Sequence, residues 1–111
     1  MPIFIVQGRY SRDAIRGMLA KPEDRAEVVA KLAESAGGRM LSYYVTFGED
    51  DFHVTFELPG AREAAALALT VAASGGVADT RTTLAMTTAE AKEAFTAAGD
   101  LGGAYRPPGA A

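Results

Sequence analysis

Two stretches in the middle of the chain alternate between apolar and polar residues. The apolar residues are Phe52, Val54, Phe56 and Leu58 in one stretch, and Leu41, Tyr43, Val45 and Phe47 in the stretch before it. Successive side chains of a strand point to opposite faces, so each stretch predicts a strand that buries one side and leaves the other side free. The tight acidic turn at residues 48–51 indicates an antiparallel hairpin.

Two further strands are predicted near the ends of the chain. Residues 3–6 are an apolar run rich in β-branched residues, and the more polar residues 7–10 follow it. Residues 77–86 are rich in Thr. Both compositions favour strands, and the first is typical of a central strand.

Helical segments separate these strands. Ser11 is placed to cap a helix over residues 11–20, and Pro22 interrupts the helix, so that residues 22–36 form a second piece with apolar residues spaced by three and four. Residues 61–74 predict a helix whose uncharged centre, residues 64–73, is typical of a helix covered by a further layer. Thr87 and Glu90 predict a capping box for a last helix that ends near Ala98.

The resulting order is β-α-β-β-α-β with an extra C-terminal helix. This order is typical of a ferredoxin-like α+β fold, in which helices cover one face of an antiparallel sheet. We therefore expect residues 1–98 to form a single domain. Residues 99–111 are rich in Gly and Pro, and we expect them to form a flexible tail.

Composition narrows the functional classes. The net charge of -3, with both signs interspersed, argues against a nucleic-acid surface. The absence of Cys excludes thiolate metal sites and disulfides, and a lone His cannot close a zinc site, so we expect neither metal nor cofactor. No apolar run approaches the roughly 20 residues that cross a bilayer, and no secretory signal is visible, which predicts a cytoplasmic protein without membrane partners.

The face of the sheet opposite the helices is the main candidate for function. His53 is the candidate catalytic residue, because an imidazole exchanges protons near neutral pH. The candidate ligand-binding residues on the same face are Arg9, Tyr44, Asp51, Thr55, Glu57 and Arg81. Asp51 and Glu57 would orient the imidazole or bind a cation, and the two arginines would hold an anionic group.

Two interpretations of this polar face remain open. Two sheets that pair back to back in a homodimer would enclose it as a pocket. Alternatively, it is a solvated face or an interface satisfied by cross-strand ion pairs, since antiparallel sheets commonly have one wet face. The acidic turn at residues 48–51 lacks the further oxygen ligands of a calcium loop and favours a solvated turn.

Several segments of the sequence resemble the GYD-domain family: FIVQGRYSRDAIRGML, YYVTFGEDDFHVTFELPG, ALALTVAASGGV and TTLAMTTAEA. The likeness covers roughly residues 2–94. The family is named for a Gly-x-Tyr-Asp type turn, which Gly48 and Asp51 match, whereas Asp50 stands where Tyr is usual. The resemblance implies a ferredoxin-like fold whose sheets pair as a dimeric α+β barrel, and it implies no particular activity.

Three functional hypotheses follow. The leading one is a homodimer or higher homo-oligomer that binds a small molecule in a polar pocket between paired sheets. The second is a cofactor-independent enzyme of the barrel type, similar to a monooxygenase or an isomerase, with His53 as proton shuttle. The third is a structural or assembly protein that uses its uncharged helix as the contact surface.

Overall fold

A computed structural model describes residues 1–110 of the chain. Its elements in chain order are β1 (Ile3–Tyr10), α1 (Arg12–Ala20), α2 (Ala26–Ser35), β2 (Arg39–Val45), β3 (Phe52–Glu57), α3 (Ala61–Ala73), β4 (Val77–Ala85) and α4 (Thr88–Leu101). A short 3-10 turn, Gly102–Ala104, follows α4.

The four strands form one antiparallel sheet in the order β2-β3-β1-β4. The apolar strand β1 lies between β3 and β4, and β2 pairs with β3 as the predicted hairpin. The structure therefore confirms the ferredoxin-like α+β fold with an extra C-terminal helix.

The core lies between one face of this sheet and the helices α2 and α3. Its buried side chains are Phe4, Phe52, Val54, Phe56 and Leu58 from β1 and the β3 segment, and Ala33, Ala64 and Leu67 from the two helices. Burial of each large apolar side chain contributes about 1.5–3 kcal/mol. The alternation in residues 52–58 thus predicts the buried side of β3 correctly.

The prediction of a buried side for β2 is wrong at three of its four apolar residues, because Leu41, Val45 and Phe47 are all exposed. Met40 pairs with Phe56 and Ser42 pairs with Thr55, so Leu41 is the additional residue of a β-bulge. A bulge shifts the alternation by one position, and Met40 packs against the core where Leu41 was expected. Phe47 lies beyond the end of β2 with 99% of its surface exposed.

The helix ends depend on the predicted caps. The Ser11 hydroxyl accepts a hydrogen bond from the Ala14 N–H at 3.0 Å. Thr87 and Glu90 form the capping box of α4, with bonds of 3.1 and 3.0 Å. After α2, Gly37 has a φ of 87°, a left-handed conformation that favours glycine.

Two helical predictions differ from the structure, and a third, the layer that covers α3, stays a prediction. The second helix begins only at Ala26, whose N–H donates to Asp24 at 3.0 Å, and not directly after Pro22. The last helix continues to Leu101, three residues beyond Ala98. The third helix, α3, buries one side, and within residues 1–110 nothing covers the other, where Leu69 is 70% exposed. The flexibility of the tail stays a prediction, and its last residue, Ala111, lies outside the described residues.

Two phenylalanines of the hairpin provide a matched test of this core. Phe56 is 2% exposed, and we expect Phe56→Ala to lower the free energy of unfolding by about 3–5 kcal/mol, because it leaves a cavity among packed side chains. We expect Phe47→Ala to change it by less than about 0.5 kcal/mol. Urea denaturation measures both values, and equal losses for the two variants would contradict the assigned core.

Candidate functional site

The face of the sheet that the helices leave uncovered is called here the open face. Residues directly opposite one another on neighbouring strands share a face, so the strand register defines rows across it. The first row is Tyr44, His53, Gln7 and Arg81; the second is Ser42, Thr55, Ile5 and Thr83; the third is Arg39, Glu57, Ile3 and Ala85.

The register brings together His53, Tyr44 and Arg81 in the first row. His53 is half-buried between Tyr44 and Gln7, and Tyr44 is 65% exposed. Thr55 lies in the second row, where its hydroxyl is 2.6 Å from the hydroxyl of Ser42. The phenol and the imidazole are therefore adjacent on the open face and accessible to solvent.

The two carboxylates expected beside His53 have other partners. Asp51 accepts a hydrogen bond from the N–H of Tyr10 at 3.0 Å, which ties the hairpin turn to the end of β1. Glu57 accepts two bonds from Arg39, at 3.2 and 3.1 Å, and these bonds lower the pKa of Glu57. Glu57 is four strand residues from His53, about 13 Å along an extended chain. Neither carboxylate forms a hydrogen bond with the imidazole.

The two arginines also differ in their surroundings. The guanidinium of Arg81 donates to the Asp50 carboxylate at 2.6 Å, and this bond raises the pKa of Arg81. Asp50 belongs to the acidic turn at residues 48–51, so an ion pair ties this turn to β4. Arg9 is exposed and lies opposite Asp79, beyond the first row.

A cleft of about 790 Å³ lies on the opposite side of the sheet, between the sheet and α1, α2 and α3. Its size is within the range of small-molecule sites, about 300–1,000 Å³. The lining is mainly apolar and includes Val6, Phe52, Val54, Met18, Leu32 and Val71, and charged residues such as Lys21 and Arg25 lie on its border.

Two tyrosine hydroxyls meet in this helix-side cleft. The hydroxyl oxygens of Tyr10 and Tyr43 are 2.6 Å apart, and the Tyr10 ring packs against Phe52 with ring centroids 5.1 Å apart. Tyr10 comes from β1 and Tyr43 from β2, which are separated in the sheet by β3. The two side chains therefore approach each other above the buried side of β3.

This pair leaves one hydrogen-bond donor for a ligand. Two hydroxyls carry two hydrogens, and only one of them is used between Tyr10 and Tyr43. Among residues 1–110 the pair makes no other side-chain hydrogen bond. Burial, followed by the bond to Tyr43, raises the pKa of Tyr10, which keeps this phenol protonated at neutral pH.

Sequence reasoning did not assign Tyr10 or Tyr43 to a site. The sequence indicates only that both residues lie on the buried side of their strands, where a phenol hydroxyl requires a polar partner. The order of strands along the chain does not show that the ends of β1 and β2 lie within reach of each other across β3. That proximity comes from the sheet order.

The described part of the chain, residues 1–110, contains no group of three or more His, Asp and Glu side chains that could hold a metal ion. No helix in the same range combines the length and the apolar composition that crossing a membrane requires.

The raised pKa of Tyr10 predicts a specific pH dependence. An unfolded Tyr loses its proton near pH 10, whereas folded Tyr10 retains it to higher pH, so the free energy of unfolding falls as the pH rises above about 10. We expect Tyr10→Phe to reduce this fall and Tyr105→Phe, at an exposed position, to leave it unchanged. Urea denaturation at pH 8 and pH 11 measures the difference. Identical pH dependence in the parent and Tyr10→Phe would show that Tyr10 is not perturbed.

Comparison with known proteins places the chain in a family. No curated protein matches it significantly. The family model of the GYD domain matches residues 4–95, from the first residues of β1 into α4. Since this match covers most of the 111 residues, the chain belongs to the GYD domain family.

Proposed function

We propose that the protein binds a small, mainly apolar molecule in the helix-side cleft, through an oxygen acceptor on the ligand. The observation that carries this proposal is the hydroxyl pair of Tyr10 and Tyr43, whose second hydrogen has no protein acceptor among residues 1–110. Both tyrosines are half-buried at the cleft, so a ligand oxygen that enters it would take the place of water as the acceptor of this hydrogen.

The surroundings of the hydroxyl pair define the class of ligand. The walls are apolar, so most of the ligand surface must be apolar as well. Tyr10 stays protonated at neutral pH, so the pair donates to a carbonyl or carboxylate oxygen. Lys21 borders the same cleft, and its ammonium group favours a carboxylate over a neutral carbonyl. An aromatic or short aliphatic carboxylic acid fits this description.

Adjacent tyrosines on opposite faces of β2 allow a direct test. A panel of aromatic and aliphatic carboxylates is screened by thermal shift, and the dissociation constant of the strongest ligand is measured by calorimetry. Either hydroxyl alone could still donate to the ligand, so we expect the double variant Tyr10→Phe with Tyr43→Phe to weaken binding about 3- to 10-fold, the loss of one hydrogen bond of about 0.5–1.5 kcal/mol. Tyr44→Phe, on the open face, serves as the control and should leave the affinity unchanged.

The opposite ranking of these two variants would move the site to the open face. If neither the aromatic nor the aliphatic carboxylates bind, the proposed ligand chemistry is wrong.

A second candidate function uses the open face between two copies. Ile3 and Ile5 lie on this mainly polar surface, on β1, one of the two inner strands of the sheet. Back-to-back pairing of two sheets in a homodimer would cover them and enclose His53, Tyr44, Thr55 and Arg81, with Arg9, Asp51 and Glu57 towards the edges. In this arrangement His53 would serve as proton shuttle, and the adjacent Tyr44 would position a carbonyl or aromatic substrate.

This second candidate predicts a dimer that depends on Ile5. We expect Ile5→Arg to weaken dimerisation at least 10-fold, because it places a charge in the centre of the paired faces. Sedimentation velocity over a range of concentrations measures the change, and Glu34→Arg on the exposed side of α2 is the control. A folded monomer at micromolar concentration in the parent protein would exclude a pocket between subunits. Turnover retained in His53→Ala would exclude His53 as the shuttle.

A further inference from the structure

The charged side chains of the helix-side cleft are mainly basic. Those that line it are Lys21, Arg25, Lys31 and Glu23. Three of the four are basic, although the whole chain has a net charge of -3. Because opposite charges attract, this local excess of positive charge favours an anionic ligand over a cationic one.

Arg25 is the basic residue of the cleft whose charge reaches the tyrosine pair. Burial has the largest effect on the pKa of Tyr10 and raises it, whereas the positive charge of Arg25 lowers it. Among the basic side chains that line the cleft, only Arg25 acts on this phenol. Arg25 is therefore the basic side chain best placed to act on an oxygen that the tyrosine pair binds.

Arg25 already binds a carboxylate, that of Glu23. The Nη1 of Arg25 donates to the Oε1 of Glu23 at 2.8 Å, and within residues 1–110 this is the only side-chain hydrogen bond of the guanidinium. A guanidinium has further N–H donors, and their forked arrangement matches the two oxygens of a carboxylate. Glu23 thus shows which chemical group Arg25 binds at the border of the cleft.

The ion pair between Arg25 and Glu23 is weak enough to exchange. The two side chains are 42% and 46% exposed, and ion pairs with such exposure contribute little because water screens both charges. The backbone of Arg25 is held at the start of α2, where its carbonyl accepts from the Val29 N–H at 3.2 Å. Arg25 can therefore change partners by side-chain rotation while its backbone stays in place.

We propose that Arg25 anchors the carboxylate of the ligand and that Glu23 is displaced when the ligand binds. The proposal rests on the small-molecule function proposed above and specifies its anionic contact. One carboxylate oxygen accepts from the pair of Tyr10 and Tyr43, and the other accepts from Arg25, while Glu23 turns to solvent. Lys21 adds positive charge at the border, and Arg25 makes the direct contact. Glu23 therefore competes with acids for Arg25 but does not compete with neutral molecules.

An acid and its primary amide separate the effect of the charge from that of the rest of the ligand. The probes are the carboxylate of the panel that binds the parent most tightly and its amide; benzoate with benzamide and hexanoate with hexanamide are the first two pairs. The amide keeps a carbonyl oxygen for the tyrosine pair and lacks the negative charge. We expect Arg25→Gln to weaken binding of the acid about 10-fold and to leave the affinity for the amide unchanged. Calorimetry at neutral pH measures the dissociation constants.

Removal of the internal competitor should have the opposite effect. We expect Glu23→Gln to strengthen binding of the same acid about 2- to 5-fold, which corresponds to the loss of an exposed ion pair. Arg62 and Glu63 form a second ion pair of 3.0 Å, and neither residue lines the cleft. Arg62→Gln and Glu63→Gln make the same changes of charge, and as controls they should leave the affinity for the acid unchanged.

The results distinguish this inference from the function on which it rests. If no carboxylate of the panel binds the parent protein, both are wrong. If an acid binds and Arg25→Gln weakens it no more than Arg62→Gln does, the small-molecule function stands and Arg25 is not the anchor. Equal losses for the acid and the amide in Arg25→Gln would show that Arg25 shapes the cleft and does not bind the carboxylate. An affinity for the acid that does not rise in Glu23→Gln would exclude the displacement of Glu23.

Discussion

The packing of Phe52, Val54, Phe56 and Leu58 against α2 and α3 determines which side of every strand faces the helices. Each strand is held in register with its neighbours, so a residue placed by β3 also places the residues opposite it on β1 and β2. A slip of one residue would exchange the two faces and expose the core, which makes the register costly to change. Both candidate sites are therefore defined by one set of four apolar side chains.

Most of the fold follows from local patterns in the sequence. The alternation in β3, the apolar run in β1 and the caps at Ser11 and Thr87 each specify an element by short-range physics. The wrong predictions lie where contacts between residues distant in sequence determine the structure. The bulge at Leu41 places Met40 against the core, and the sequence does not show this because Met40 and Leu41 are adjacent and both apolar, so alternation cannot decide which of them faces the core.

The candidate sites were predictable to a smaller extent. Alternation alone places Tyr44, His53, Thr55 and Glu57 on one face of the hairpin, and the register agrees. It does not reveal which of these side chains are within reach of one another, nor that Asp51 binds the backbone of β1. The helix-side cleft depends on the arrangement of three helices over the sheet, and the contact between Tyr10 and Tyr43 joins residues 33 positions apart. Such a long-range contact has no local signature.

The hydroxyl bond between Tyr10 and Tyr43 can form in either direction, because each phenol oxygen can donate or accept. An acceptor that approaches from the Tyr10 side makes Tyr43 the internal donor, and one that approaches from the Tyr43 side reverses the bond. The pair can thus present its hydrogen towards either end of the cleft without moving a ring. A site built in this way would accept ligands in two opposite orientations, and its selectivity would come from the shape of the apolar walls.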